Sequence, residues 1–181
     1  MVQYNKKFLR KDNFMNIKKE PFIMYIDCNE KKPWAFRKSN VVKEIKTKRL
    51  KHGDYTIAGL DGNSLEDEFL MIERKASIDE LSGNLGKAAS KKRLRNHFIE
   101  SKAKYKFLIV EDSLSHIMKG SRYSHLPKKF VPGWLISLMM KENVHVIFAN
   151  DRAHAQQYAR HIMKKAWEYY LKDQKDKGLI E

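Results

Sequence analysis

Three side chains in this sequence have the types and spacing for hydrolytic chemistry: Asp54, Glu73 and Lys75. Side chains alternate along a strand, so in the segment ERK (73–75) Glu73 and Lys75 share one face and Arg74 takes the other. If residues 55–58 pair with 69–75 as a hairpin, Asp54 lies beside Glu73. Two carboxylates that close repel each other unless a cation sits between them. A hard divalent ion with oxygen ligands, Mg²⁺ or Mn²⁺, suits such a pair. Lys75 then offers a fixed positive charge to a phosphate oxygen or to an attacking water. The set matches phosphodiester hydrolysis, where the ion activates water and polarises phosphorus and the lysine stabilises developing charge.

The elements that must position these residues are legible on either side of them. The apolar run 22–26 reads as a buried strand closed by Asp27, followed by a turn through Asn29 and Pro33. Positions 41–50 lead, with no element assigned, into Lys51-His52-Gly53-Asp54, where Gly53 marks a bend. Residues 55–58 and 69–75 read as strands, the second apolar at its start and charged at its end. Ser77 with Glu80 fits a capping box, which predicts a helix from about 78, interrupted near Gly83 and Gly86, and a second to about 100. Strands are expected at 105–110 and 144–148, and helices at 134–142 and 151–172. The last helix places Ala155, Tyr158, Ala159, Ile162, Ala166, Tyr169 and Tyr170 on one stripe. The chain divides into a basic N-terminal arm (1–20), one domain (21–172) and a charged, frayed tail (173–181). Strands alternating with helices after residue 75 imply an α/β sandwich around a mixed sheet.

Charge narrows the partner. The 181 residues carry 37 Lys+Arg against 22 Asp+Glu, a formal net charge of +15. So basic a domain repels itself unless a polyanion offsets the charge, and nucleic acid is the leading candidate. A membrane surface is the weaker candidate, because no apolar run approaches the length of a spanning helix. The first twenty residues lack the apolar stretch of a secretory signal. The single cysteine, Cys28, excludes an intrachain disulfide and a multi-cysteine zinc site. A reducing, cytoplasmic or nucleoid-associated setting follows as the expectation. The stretch 87–106 holds eight Lys/Arg against one acid, Glu100. It directly follows the candidate site and reads as a phosphate-backbone track, with Lys91, Lys92, Arg93 and Arg95 as its DNA-contacting residues.

Gly53-Asp54, then Glu73-Arg74-Lys75, then Asp79 resemble the signature of XPF-type structure-specific endonucleases, within the PD-(D/E)XK, restriction-endonuclease-like fold. Ile26-Asp27 with Glu30 resembles that family's first-strand acidic motif, with Asn29 where an arginine is usual. Arg93-Leu94 with Asn96-His97 resembles its arginine-leucine helix motif, with His97 in place of the common glutamine. Residues 105–111 resemble the strand that follows, and the segment from Pro132 to Ala155 resembles the closing helix–strand–helix. The resemblance spans about residues 22–170. It implies a three-layer α/β sandwich with a central mixed sheet, cleavage of branched or flapped DNA in repair, recombination or replication, and a catalytic set of Asp54, Glu73, Arg74, Lys75 and Asp79. It further implies a homodimer through the helices 134–142 and 151–172, to which Trp134, Leu138 and Tyr169 contribute either interface or core. Many relatives carry a tandem helix-hairpin-helix domain that this chain does not reach, so a minimal nuclease is expected.

Several roles stay open on the residues themselves. Asp27 and Glu30 are candidate metal ligands or positioners beside Asp54 and Glu73. Arg74 either acts directly or braces a neighbouring acid. Asp79 stands in the first turn of a capped helix, where the dipole favours any acid. Glu111 closes a strand or caps the next helix. Two rival functions remain: a non-catalytic DNA-binding subunit on the same scaffold, and a sequence-specific restriction-type endonuclease.

Overall fold

The computed structural model describes residues 21–180; the basic arm 1–20 lies outside them. Six strands form one sheet: β1 (Phe22–Asp27), β2 (Val42–Lys48), β3 (Tyr55–Ile57), β4 (Leu70–Lys75), β5 (Tyr105–Val110) and β6 (Val144–Phe148). Their order is β2-β1-β3-β4-β5-β6. Only β3 runs antiparallel, to both β1 and β4, so the other five strands end on the same edge of the sheet. β2, for which no element was expected, pairs parallel with β1 after a crossover of residues 28–41. A parallel pair needs a connection of about a dozen residues, usually helical. This one is irregular, and its Trp34 is buried against Tyr55 with ring centroids 4.5 Å apart.

Helices α1 (Ile78–Gly86), α2 (Ala88–Glu100), α3 (Leu114–Lys119) and α4 (Phe130–Glu142) cover one face of the sheet. Helix α5 (Arg152–Asp176) covers the other. The result is a mixed-sheet α/β sandwich of three layers, as expected. Strand alternation sorts the core between the layers. Leu70, Ile72 and Ile109 pack under α5, whereas Met71, Leu108 and Val110 pack under α1, α2 and α4. From the expected α5 stripe, Ala155, Ala159, Ala166 and Tyr170 are buried, while Tyr158 and Tyr169 face solvent.

Four boundaries depart from expectation. Helix α1 runs through Gly83 and stops only at Gly86, since a single glycine costs a helix about 1 kcal/mol. α4 begins at Phe130 rather than 134, with Pro132 in its first turn, where no intrahelical N–H is required. α3 is the helix left open after Glu111, and Ser113 rather than Glu111 caps it, accepting from the His116 N–H at 3.1 Å. α5 continues to Asp176, so the expected frayed tail is helical over its first four residues. Among the described residues no helix is long and apolar enough to cross a membrane.

Candidate active site

The sheet edge where the five parallel strands end carries Asp27, Lys75 and, from the start of β3, Asp54. Crevices at the carboxyl ends of parallel strands are the usual ligand sites of such sheets. Asp54 is placed there by its backbone. Its N–H donates to the Ile72 carbonyl at 2.8 Å and its carbonyl accepts from Asp27 N–H at 2.8 Å. Its Oδ2 accepts from the Arg74 N–H at 2.7 Å, which fixes the carboxylate against β4. The preceding Gly53 has φ +71°, and a Cβ there would meet Ile72 O and the Met71 Cγ at 2.9 Å. Only glycine allows the chain to pass so close to β4 in that conformation.

Glu73 and Lys75 project together toward the α1–α2 layer, continuing the row begun by Met71. Lys75 Nζ lies 2.7 Å from Glu73 Oε1, and both side chains are buried. Lys75 also faces Glu80 Oε1 at 3.6 Å. The other Glu80 oxygen accepts from the Ala76 N–H at 2.8 Å, while Ser77 Oγ accepts from the Glu80 N–H at 3.1 Å. The capping box anticipated from sequence thus also delivers a second acid to the lysine.

Electrostatics separate the two carboxylates. Burial, then the neighbouring Glu73 charge, pushes Asp54 well above the ordinary carboxylate range. Burial opposes the Glu73 charge too, but the Lys75 ammonium and the His97 ring outweigh it and hold Glu73 down to about 2. Lys75 is held above its usual value; burial works against its charge, and Glu73 and Asp54 overcome it. Glu73 thus holds its charge readily while Asp54 holds its proton more tightly than an ordinary carboxyl, an imbalance that a bound cation would offset.

The other face of β4 is a separate network. Arg74 donates from Nε to Glu111 Oε1 at 2.7 Å and from Nη2 to Glu111 Oε2 at 2.9 Å. Its Nη1 reaches Glu30 Oε1 at 3.4 Å. Trp34 Nε1 donates to Glu111 at 2.5 Å, and Arg152 Nη1 stands 3.9 Å from the same carboxylate. Of the candidate metal ligands, Asp27, Asp54 and Glu73 lie in one row across the sheet, on one face. Glu30 is tied to Arg74 on the other. Both Asp27 oxygens are already engaged, by the N–H groups of Leu50 (3.0 Å) and Asn29 (3.2 Å). Asp79 is exposed in the first turn of α1.

The basic stretch 87–106 is divided by the fold. Lys92, Arg93 and Arg95 are exposed on α2, and Lys91 is partly buried with Nζ 5.6 Å from the Phe130 ring centroid. Arg95 pairs with Glu142 at 3.3 Å. Arg93 lies one turn before His97 and so shares its helix face. Lys104 and Lys106, by contrast, sit at the start of β5, on the sheet edge away from the site. Sequence reasoning did not associate His52 with the site. His97 Nδ1 stands 3.9 Å from Glu73 Oε2, and the buried His52 ring packs edge-on against His97 at 5.9 Å between centroids. Only the oddity of a histidine just before Gly-Asp was there to flag it.

Asp54 Oδ1 takes no hydrogen bond among the described residues, and Glu73 Oε2 has only His97 Nδ1 near it, at 3.9 Å. Two such oxygens, on carboxyls whose mutual repulsion is partly unrelieved, fit a hard divalent ion that retains part of its water shell. Among the described residues no group of three or more His, Cys, Asp or Glu is arranged as a cage. A Mg²⁺-type ion does not require one, since one or two carboxylates, water and substrate phosphate oxygens complete its shell.

No curated protein matches the chain. The solved structure of XPF from Aeropyrum pernix is similar in fold, with a TM-score of 0.55 at 18% identity over 78% of this chain and 65% of that one. XPF from Aeropyrum pernix in complex with DNA gives a TM-score of 0.56 at 15% identity, over 80% of this chain and 64% of that one. The chain thus spans slightly less than two thirds of those proteins. A family model, the ERCC4 domain, matches residues 26–162, a span that takes in the end of β1, strands β2 to β6 and the whole Asp54–Glu73–Lys75 cluster. The chain belongs to the ERCC4-domain family and has the fold of an XPF-type nuclease domain.

Proposed function

We propose that this protein is a Mg²⁺- or Mn²⁺-dependent endodeoxyribonuclease that cuts branched or flapped DNA in repair, recombination or replication. One observation carries the reading: Asp54 and Glu73 on adjacent strands, with Lys75 Nζ 2.7 Å from Glu73, at the open end of the sheet. A bound ion would supply Lewis acidity and a water acidic enough to attack phosphorus near neutral pH. Asp54 and Glu73 would hold it through Oδ1 and Oε2. Lys75 holds a full positive charge at every physiological pH and stabilises the charge that develops on phosphate. Arg93, exposed on the His97 face of α2, supports binding of the phosphate backbone, with Lys91, Lys92 and Arg95 alongside. Arg74 braces Glu111 and Glu30 and so shapes the strand that carries Glu73. Asp79 stands next to this machinery in sequence, and its exposed carboxylate leaves it available to substrate-bound water.

A homodimer is proposed through α4, whose Ile136, Met139 and Met140 are exposed, and α5, with Tyr158 and Tyr169 exposed. Leu138 belongs to the core instead. A DNA substrate and a single exposed cysteine, Cys28, are consistent with a cytoplasmic setting. The deciding experiment incubates the protein with Mg²⁺ and labelled flap, fork, four-way and linear DNA. Cuts near the branch support the reading. Binding without any cleavage would identify a non-catalytic subunit, and sharp fragments from linear plasmid DNA a restriction-type enzyme.

A further inference from the structure

The catalytic face of the sheet does not end at Asp54. Register places Lys48 of β2 opposite Asp27 of β1, and Asp27 hydrogen-bonds across to Asp54. Lys48, Asp27, Asp54 and Glu73 therefore form one row on one face. Lys46 sits in the next row, opposite Tyr25. The helical layer does not reach these strands on this face. Its core cluster draws strand residues from β4, β5 and β6 alone, and the small cluster beyond consists of Tyr25, Leu50 and Ala58. No helix covers this half of the face; the segments at Leu50 and Gly62 bond to Asp27 and Tyr25 there, and Lys46 and Lys48 stand exposed on the outer strand.

On this face β2 presents two lysines, Lys46 and Lys48, and one acid, Glu44. Glu44 pairs with Lys46 at 3.2 Å, and the Lys46 side chain remains 45% exposed. Lys48 is exposed, with Nζ 5.1 Å from the Tyr25 ring centroid, and it closes no ion pair among the described residues. Its charge is felt by Asp61, but that carboxylate is held first by Asn63. Asp27, its neighbour in the row, is occupied by two backbone amides. Strands lie about 4.8 Å apart, so β2 is roughly 10 Å from β3, within reach of nucleotides adjoining a phosphate at Asp54.

We infer that Lys46 and Lys48 form a second phosphate-binding rim, on the opposite side of the scissile position from α2. It would hold the sugar-phosphate backbone of the DNA arm leaving the site past β2. The inference rests on the nuclease reading and adds a substrate geometry to it: DNA engaged on both sides of the cut, as a branched substrate offers.

The test is the double substitution K46Q/K48Q, which removes two charges and keeps an aliphatic stem over Tyr25. Binding is measured in EDTA, so that nothing is cut, to a flap substrate over a range of salt concentration. With two fewer phosphates neutralised, the slope of log K against log salt should flatten by about 1.8. Trimming one particular arm of the flap, and not the other, should erase the difference between wild type and variant. A wild-type slope in K46Q/K48Q, with its melting temperature unchanged, overturns the inference. So does a difference that survives trimming of either arm. Wild-type protein that binds the flap but never cuts it in Mg²⁺ defeats the nuclease reading alone, because the slopes still decide the rim.

Discussion

Removing the Arg74 side chain should damage the scaffold more than any other single change near the site. The Arg74 and Glu111 side chains are each only 6% exposed, and they share two hydrogen bonds of 2.7 and 2.9 Å. Arg74→Ala leaves Glu111 buried, with Trp34 Nε1 as its remaining close donor and Arg152 at 3.9 Å. Breaking one partner of a buried pair costs about 3–5 kcal/mol. The residual Trp34 bond argues for the lower end, about 3 kcal/mol. For a domain of this size that is a fall of roughly 6–12 °C in melting temperature. Arg74→Lys should recover less than half of the loss, because an ammonium cannot make the two-pronged contact. Arg74→Met with Glu111→Leu should cost less than either single truncation, because no charge is then stranded. Urea denaturation of the singles and the double, read as a thermodynamic cycle, measures the coupling directly. Single and double losses that simply add would show that the two side chains do not depend on each other, and the bracing role would be lost with them.

Four other outcomes are expected. Gly53→Ala puts a Cβ 2.9 Å from Ile72 O at φ +71°. It should cost about 2 kcal/mol or more in urea denaturation and depress cleavage further still by shifting Asp54. Asp54→Asn and Glu73→Gln should each bind DNA in gel shift and cut none in Mg²⁺, whereas wild-type turnover by Asp54→Asn would remove it from the site. Lys75→Ala should slow single-turnover cleavage by about a hundred- to a thousand-fold, the worth of one transition-state donor. The fourth outcome follows from Asp54 holding its proton more tightly folded than unfolded. Its contribution to stability is present at acid pH and lost as pH rises through the raised value. In EDTA, Asp54→Asn should therefore gain on wild type in melting temperature from pH 5 to pH 8, and Mg²⁺ should narrow the gap; a constant difference across that range would contradict it.

The Asp54–Glu73–Lys75 cluster was legible in sequence because its logic is local. Period-two alternation alone puts Glu73 and Lys75 on one face and Arg74 on the other, and a glycine before Asp54 signals a backbone that only glycine can adopt. Ser77 and Glu80 announced the start of α1 in the same way, through bonds that span three residues. Partners far apart in the chain were not legible. Arg74 and Glu111 are 37 residues apart, and their ion pair exists because β4 and β5 lie side by side in parallel register. His97 meets Glu73 only because α2 folds back over β4. Strand β2 escaped notice because an edge strand with one exposed face is a lysine-rich sequence without a clear apolar period. Composition likewise reported the excess of positive charge but not its position. The run 87–106 looks continuous along the chain, yet the turn from α2 into β5 carries Lys104 and Lys106 to the far edge of the sheet. Strand pairing instead brings Lys46 and Lys48 onto the face that carries Asp54 and Glu73. Local periodicity determined which residues could act; the pairing order of the strands, a property of long-range packing, decided which of them stand together.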